Sequence, residues 1–144
     1  LSYEDQPSIV KELEDFFTAV DCMIYCHFLC LPIIGPILWD ELAEIYNAVT
    51  GASLTKKDLV AISSRINDEV KLYNLREGTP SDMEYPARWL RERLKTGNSA
   101  GQIIQKNKLK WMISQYYKLR GWTRKGKPKK RGSFLKRRRN IFCS

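Results

Sequence analysis

The sequence predicts an all-α fold, an irregular bundle of about five helices with an extended basic carboxy-terminal tail. Three observations carry this. Apolar residues recur at three- and four-residue spacing through most of the chain. The breaks between those stretches fall on strong turn formers, at residues 32–36, Gly51, residues 78–85, Gly97-Asn98 and Gly121. No stretch alternates apolar and polar residues long enough to make a strand, and no internal repeat is visible.

The elements follow in order. The first helix starts near Pro7, a residue suited to a first turn, and runs through Ile9, Leu13, Phe16, Phe17, Val20 and Ile24 toward Leu31. The turn at residues 32–36 ends it. A second helix, about residues 37–49, places Leu38, Leu42 and Ile45 on one face and stops at Gly51, a natural C-cap. Thr55-Lys56-Lys57-Asp58 has the form of a capping box, with aspartate in place of glutamate. It opens a third helix carrying Leu59, Ile62, Ile66, Val70 and Tyr73 and closing near Gly78. A loop over residues 78–85 and a short helix around 86–94 follow. The last helix runs from about residue 100 to 119 and stops at Gly121.

Two domains are expected, a helical one over residues 1–123 and a basic tail over 124–144. The charge is unevenly spread between the halves of the chain. Residues 1–92 hold all 16 acids and 8 of the 25 basic residues, whereas residues 93–144 hold the other 17 basic residues and no acid. Such a basic stretch can neutralise phosphates. That makes a helical nucleic-acid-binding module the alternative function, with Trp122 and Phe134 as its base-stacking aromatics. Four cysteines without disulfide spacing point to a reducing cytoplasm. The chain begins at Leu1 and shows no signal peptide, which suggests a processed product or part of a longer chain. The apolar run from Cys22 to Trp39 is cut by Pro32, Gly35 and Pro36 into pieces too short for a bilayer, so no membrane span is expected.

The most informative stretch is Asp21-Cys22-Met23-Ile24-Tyr25-Cys26-His27-Phe28-Leu29-Cys30. On one helix the three cysteines, four apart, would line a single face, a soft ligand set suited to zinc or an iron–sulfur cluster. Helix geometry argues against a self-contained site. Cys22 and Cys30 would lie roughly 12 Å apart, while thiolates on one zinc sit within roughly 4 Å of each other. Cys143 lies in the tail, too far along to complete the set. His27, the only histidine, is expected inside the apolar helix as a satisfied core residue. The chain has no Gly-rich phosphate loop, nucleophile elbow, His-Glu-x-x-His or Cys-x-x-Cys. Glu41 and Glu44 are expected to face solvent, so general acid–base catalysis lacks its parts.

Several motifs taken together resemble a known family. Tyr46-Asn47-Ala48-Val49-Thr50-Gly51 precedes Arg65. Tyr73-Asn74-Leu75-Arg76-Glu77-Gly78 and Pro86-Ala87-Arg88 come next. Tyr116-Tyr117-Lys118-Leu119-Arg120-Gly121-Trp122 follows, with Gly126 and Pro128 beyond. In this order, over roughly residues 15–128, they are similar to the carboxy-terminal region of the tungsten-containing aldehyde ferredoxin oxidoreductases. The family carries a pattern Asp-x-x-Gly-Leu-Cys here, matched by Asp21 and Cys26, with Ile24 and Tyr25 replacing the glycine and leucine. The resemblance implies that Cys26 is the fourth ligand of a [4Fe–4S] cluster. It also implies that Asp21 and Tyr25 contact the pterin of a tungsten bis-pterin cofactor. A side chain at Ile24 limits how closely the backbone can approach a ligand. Cys22 and Cys30 match no family ligand and are expected to fill the core. Lys71 stands where the family often has arginine.

The other three cluster cysteines of the family, in a Cys-x-x-Cys-x-x-x-Cys motif, belong to a preceding domain, as does much of the pterin site. Neither is in this chain. Nothing matches the family's proposed acid–base residues, so no residue is assigned a catalytic role. The resemblance therefore implies a carboxy-terminal fragment or domain, about a quarter of an enzyme that oxidises aldehydes and passes electrons to ferredoxin. Its partners would be the missing amino-terminal domains of that enzyme, ferredoxin and the aldehyde. The chain alone is expected to be inactive and to hold no complete cofactor. A stand-alone helical domain that only binds protein is a third reading.

Overall fold

The computed structural model describes residues 3–30, 37–79, 82 and 84–129, with the backbone alone at Leu29. Five α-helices are present and no strand occurs among the described residues. The first, α1, spans Gln6–Cys22 with Pro7 in its first turn, where a missing N–H costs nothing. A single 3₁₀ turn follows at His27–Cys30. α2 spans Trp39–Thr50 and α3 Lys56–Arg76. α4 is one turn, Arg88–Arg91, and α5 spans Lys106–Arg120. The turn expected at residues 32–36 lies outside the described residues, as does the tail from residue 130.

Local chemistry explains most boundaries. At α3 the Thr55 hydroxyl accepts from the Asp58 N–H, and the Asp58 carboxylate accepts from the Thr55 N–H at 3.0 Å. This satisfies two of the orphan donors of the first turn. α2 and α5 end at Gly51 and Gly121, both left-handed at φ 72° and 69°. The Asn47 side chain donates to the Leu54 carbonyl and accepts from its N–H, each at 2.8 Å, and so pins the α2–α3 connection. The last helix begins later than its apolar spacing suggests. Gly97 and Gly101 hold residues 94–102 in a turn in which Gly101 N–H bonds Leu94 O and Leu94 N–H bonds Gln102 O.

The core lies where α1, α2 and α3 meet. Phe16, Ala19 and Val20 of α1 pack with Trp39, Leu42 and Ala43 of α2 and Leu59 of α3. Phe16 meets Trp39 edge-to-face at 5.3 Å between ring centres. Each buried large side chain contributes about 1.5–3 kcal/mol. α5 lies along α1 from the other side, and α2 rests on α3. Beyond α5 the chain turns back at residues 123–127 and tucks Gly126 against Tyr117. A Cβ at Gly126 would stand 2.6 Å from that ring.

Two apolar faces are covered less than their spacing implies. Ile9, Leu13 and Leu38 are about half exposed, as are Val70 and Tyr73 on α3. The buried positions of α3 beyond Leu59 are polar: Ser63, Ser64 and Asp68.

Candidate functional site

α1 does not continue toward Leu31. It stops at Cys22 because the chain enters a left-handed turn. Tyr25 N–H bonds Val20 O and Ile24 N–H bonds Asp21 O, both at 3.0 Å, while Tyr25 packs against the core. This double bond with an apolar flap is the Schellman arrangement, whose left-handed position is normally glycine. Here it is Ile24, at φ 57°. The glycine of the resembled pattern is thus explained by the turn itself, and a β-branched residue there costs about 1–2 kcal/mol. The helix stop was hidden because neither glycine nor proline marks it.

The early stop rearranges the expected thiol stripe. Cys22 is the last residue of α1, Cys26 lies in the connection, and Cys30 ends the 3₁₀ turn, so the three do not share one helical face. All three are free thiols. Cys22 and Cys26 are exposed, and only Cys30 is partly buried against the core. The core-filling role expected for Cys22 is therefore incorrect. Burial first, and the nearby Cys26 second, push the Cys30 thiol up from its ordinary value and keep it protonated.

His27 is not a core residue. It is half exposed, and its Nε2 donates to Asp21 Oδ1 at 2.5 Å. Its ring rests on Phe17, 4.7 Å between centres. Asp21 sits in the last turn of α1, where the helix dipole disfavours a carboxylate, and the imidazole N–H offsets this. Asp21, Tyr25 and Cys26, the three residues singled out from the sequence, thus come together on one turn beside a fourth, His27.

Chemically, the end of α1 and the turn after it offer two exposed thiols, Cys22 and Cys26, and one exposed carboxylate, Asp21. Among the described residues no group of three or more cysteine, histidine or carboxylate side chains is arranged to hold a metal ion. A single thiol such as Cys26 is one donor, too few to hold a cluster without others. Tyr25 has already spent its N–H on Val20, so toward a pterin it has only its carbonyl and its half-buried ring to offer.

A second polar constellation was missed from the sequence. Arg120 is 0% exposed and Asp15 1%. The guanidinium bonds Asp15 through Nη1, Glu14 Oε2 through Nη2 at 2.6 Å and the Tyr116 hydroxyl through Nε at 3.0 Å. Asp15 also accepts from Lys11 and from Asn67 of α3. Burial alone would lower the Arg120 pKa, but the bonds to Asp15 and Glu14 outweigh it and hold the group firmly charged. Desolvation, and then its bond to Glu14, raise the Tyr116 pKa. Tyr117 is raised in the same way by burial and Asp82. Lys71 Nζ reaches both oxygens of Asp82 at 2.6 Å, so the lysine makes two contacts where an arginine fork would.

Trp122 belongs to the same network. It is buried, with its indole N–H on Asp68 at 2.6 Å. It is therefore not an open surface for stacking bases, and Phe134 lies outside the described residues. No helix among the described residues is long and apolar enough to cross a membrane.

Residues 1–133 match the sequence profile described as aldehyde ferredoxin oxidoreductase, domains 2 and 3, a wider span than the motifs alone covered. The chain is 36% identical over 126 residues to the tungsten-containing aldehyde ferredoxin oxidoreductase of Pyrococcus furiosus, covering 86% of this chain and 20% of that protein. The Thermococcus kodakarensis enzyme of the same description is 32% identical over 113 residues, covering 77% and 18%. That of Pyrococcus horikoshii is 29% identical over 126 residues, covering 86% and 20%. The chain thus spans about a fifth of the length of these curated relatives, somewhat less than the quarter its motifs implied.

Proposed function

Because this chain belongs to the aldehyde ferredoxin oxidoreductase family, we propose that it is the carboxy-terminal part of a tungsten-pterin, iron–sulfur enzyme. That enzyme oxidises aldehydes to carboxylic acids with ferredoxin as electron acceptor. The observation that carries the reading is an exposed thiol, Cys26, held on a fixed turn beside an exposed carboxylate, Asp21, at the positions of the family pattern.

Cys26 is the fourth thiolate of a [4Fe–4S] cluster whose other three come from polypeptide outside this chain. Its exposure lets it reach that cluster, while Cys30, half sunk and held as a thiol, supports the turn from behind. Asp21 accepts from the N–H edge of a pterin with the oxygen that His27 leaves open. Tyr25 flanks it through its carbonyl or phenol. When bound, these groups supply two-electron oxidation of the aldehyde and one-electron delivery to ferredoxin. The Arg120 network ties α1 to α5, so the turn is presented from an anchored helix. Free thiols at Cys22, Cys26 and Cys30 agree with a place in the reducing cytoplasm.

The test uses the Pyrococcus furiosus enzyme with its matching fifth exchanged for this chain, purified without oxygen. It is expected to reduce ferredoxin with an aldehyde. The chain alone is expected to show no such activity and to stay colourless after incubation with iron and sulfide. A brown isolated chain with a full complement of iron contradicts the reading. So does a chimera that keeps its tungsten and iron yet oxidises no aldehyde.

A further inference from the structure

The short helix α4 and the glycine-held turn after it enclose a groove of about 700 Å³, within the usual size range of ligand sites. Arg93 Nη1 donates to Gly101 O at 2.6 Å, and the Leu94 and Gly101 backbones bond across the same loop. These bonds fix the shape of the groove. Trp89, Leu94 and Ile103 are apolar parts of its lining, while Arg88, Arg93 and Lys95 are cationic and Glu92 is the one acid. Trp89 is 53% exposed. Glu92 accepts from Arg88 Nε at 2.7 Å, but both side chains are more than half exposed, so the pair is weak. Three cations against one carboxylate leave the groove positive. Residues 93–144 hold 17 basic residues and no acid, so positive charge also continues through the rest of the chain.

An exposed indole among guanidinium and ammonium groups suits a ligand that is both planar and polyanionic. An acidic peptide would use the charge and leave the ring bare. A neutral aromatic would use the ring and leave the charge. Single-stranded nucleic acid uses both, because its bases stack on aromatic side chains and its phosphates pair with arginine and lysine. In a duplex the bases are stacked on one another and are not free to cover Trp89. We propose that the groove between α4 and the turn at residues 94–102 binds single-stranded nucleic acid, with a base on Trp89 and phosphates on Arg88, Arg93 and Lys95. Trp122, buried on Asp68, takes no part. The site is independent of the Cys26 reading.

The test follows a fluorescent oligo-uridine by anisotropy as the full chain is added, over a range of salt concentrations. Trp89→Ala is expected to weaken binding about tenfold. Trp111→Ala, at a comparably exposed indole on α5 outside the groove, is expected to leave it unchanged. Lys95→Gln, a surface change that does not threaten the fold, is expected to lower the slope of log affinity against log salt by about 0.7. Equal affinity in Trp89→Ala overturns the proposal, as does an unchanged slope in Lys95→Gln, since either leaves only diffuse attraction to the basic half. A duplex bound as tightly as the single strand also overturns it. So does poly-glutamate bound as tightly, which would make the ligand an acidic protein. Adenosine monophosphate bound as tightly would make it a free nucleotide and overturns it too.

Discussion

The middle of α1 and its carboxy-terminal end treat polar groups in opposite ways. In the middle, Asp15 is buried with Arg120, and the guanidinium is met by two carboxylates and a phenol. At the end, Asp21, Cys26 and His27 lie open to solvent with one hydrogen bond between them. Burying an ion pair costs several kcal/mol per charge and is tolerated only when each group is fully bonded. The first region satisfies that condition by drawing α1, α3 and α5 onto one carboxylate. The second leaves its groups unspent, with surrounding apolar side chains uncovered. One region holds the fold together, and the other faces outward.

The largest expected effect breaks the first region. Arg120→Leu leaves Asp15 buried without its main partner and is expected to cost about 3–5 kcal/mol in urea unfolding. A loss below about 1 kcal/mol would show that Asp15 finds water instead. Alkaline pH tests the same region more gently. Tyr116 and Tyr117 hold their protons more tightly folded than unfolded. Their contribution is therefore complete below about pH 10, the ordinary tyrosine value, and is lost as pH rises above it. Replacing both tyrosines with phenylalanine should flatten that alkaline decline, and an unchanged slope would contradict the assignment.

The second region should respond in the opposite sense. Ile24→Gly relieves the left-handed strain and is expected to raise stability by about 1 kcal/mol in chemical denaturation. A destabilised variant would mean that the isoleucine side chain packs on something within the chain. The smallest effect is expected at the thiols. Cys22→Ser and Cys26→Ser should each change unfolding free energy by less than about 0.5 kcal/mol, as exposed positions do.

The same division governs what could be read from the sequence. Gly51, Gly121 and the Thr55–Asp58 box were legible because each acts within a few residues of itself. The end of α1 was not, because isoleucine fills the position that glycine usually marks. That error placed His27 in a core and three cysteines on one face. The Arg120 network was invisible for a different reason. Its partners are 105 residues apart, and Trp122 and Asp68 are 54 apart. No local pattern distinguishes a buried arginine from a solvated one. At the candidate site, Asp21 and Cys26 were legible only through an ordered family pattern, since one carboxylate and one thiol specify no chemistry alone. The Asp21–His27 bond needed the turn to be seen.

The most direct test of the central claim compares three single changes, Cys22→Ser, Cys26→Ser and Cys30→Ser, in the chimera with the Pyrococcus furiosus enzyme. Iron content and the paramagnetic spectrum of the reduced cluster are measured for each. If Cys26 is the thiolate this chain contributes, only Cys26→Ser alters the cluster or loses its iron, while the chimera remains assembled. An unaltered spectrum in Cys26→Ser, or the same loss in Cys22→Ser, would contradict it.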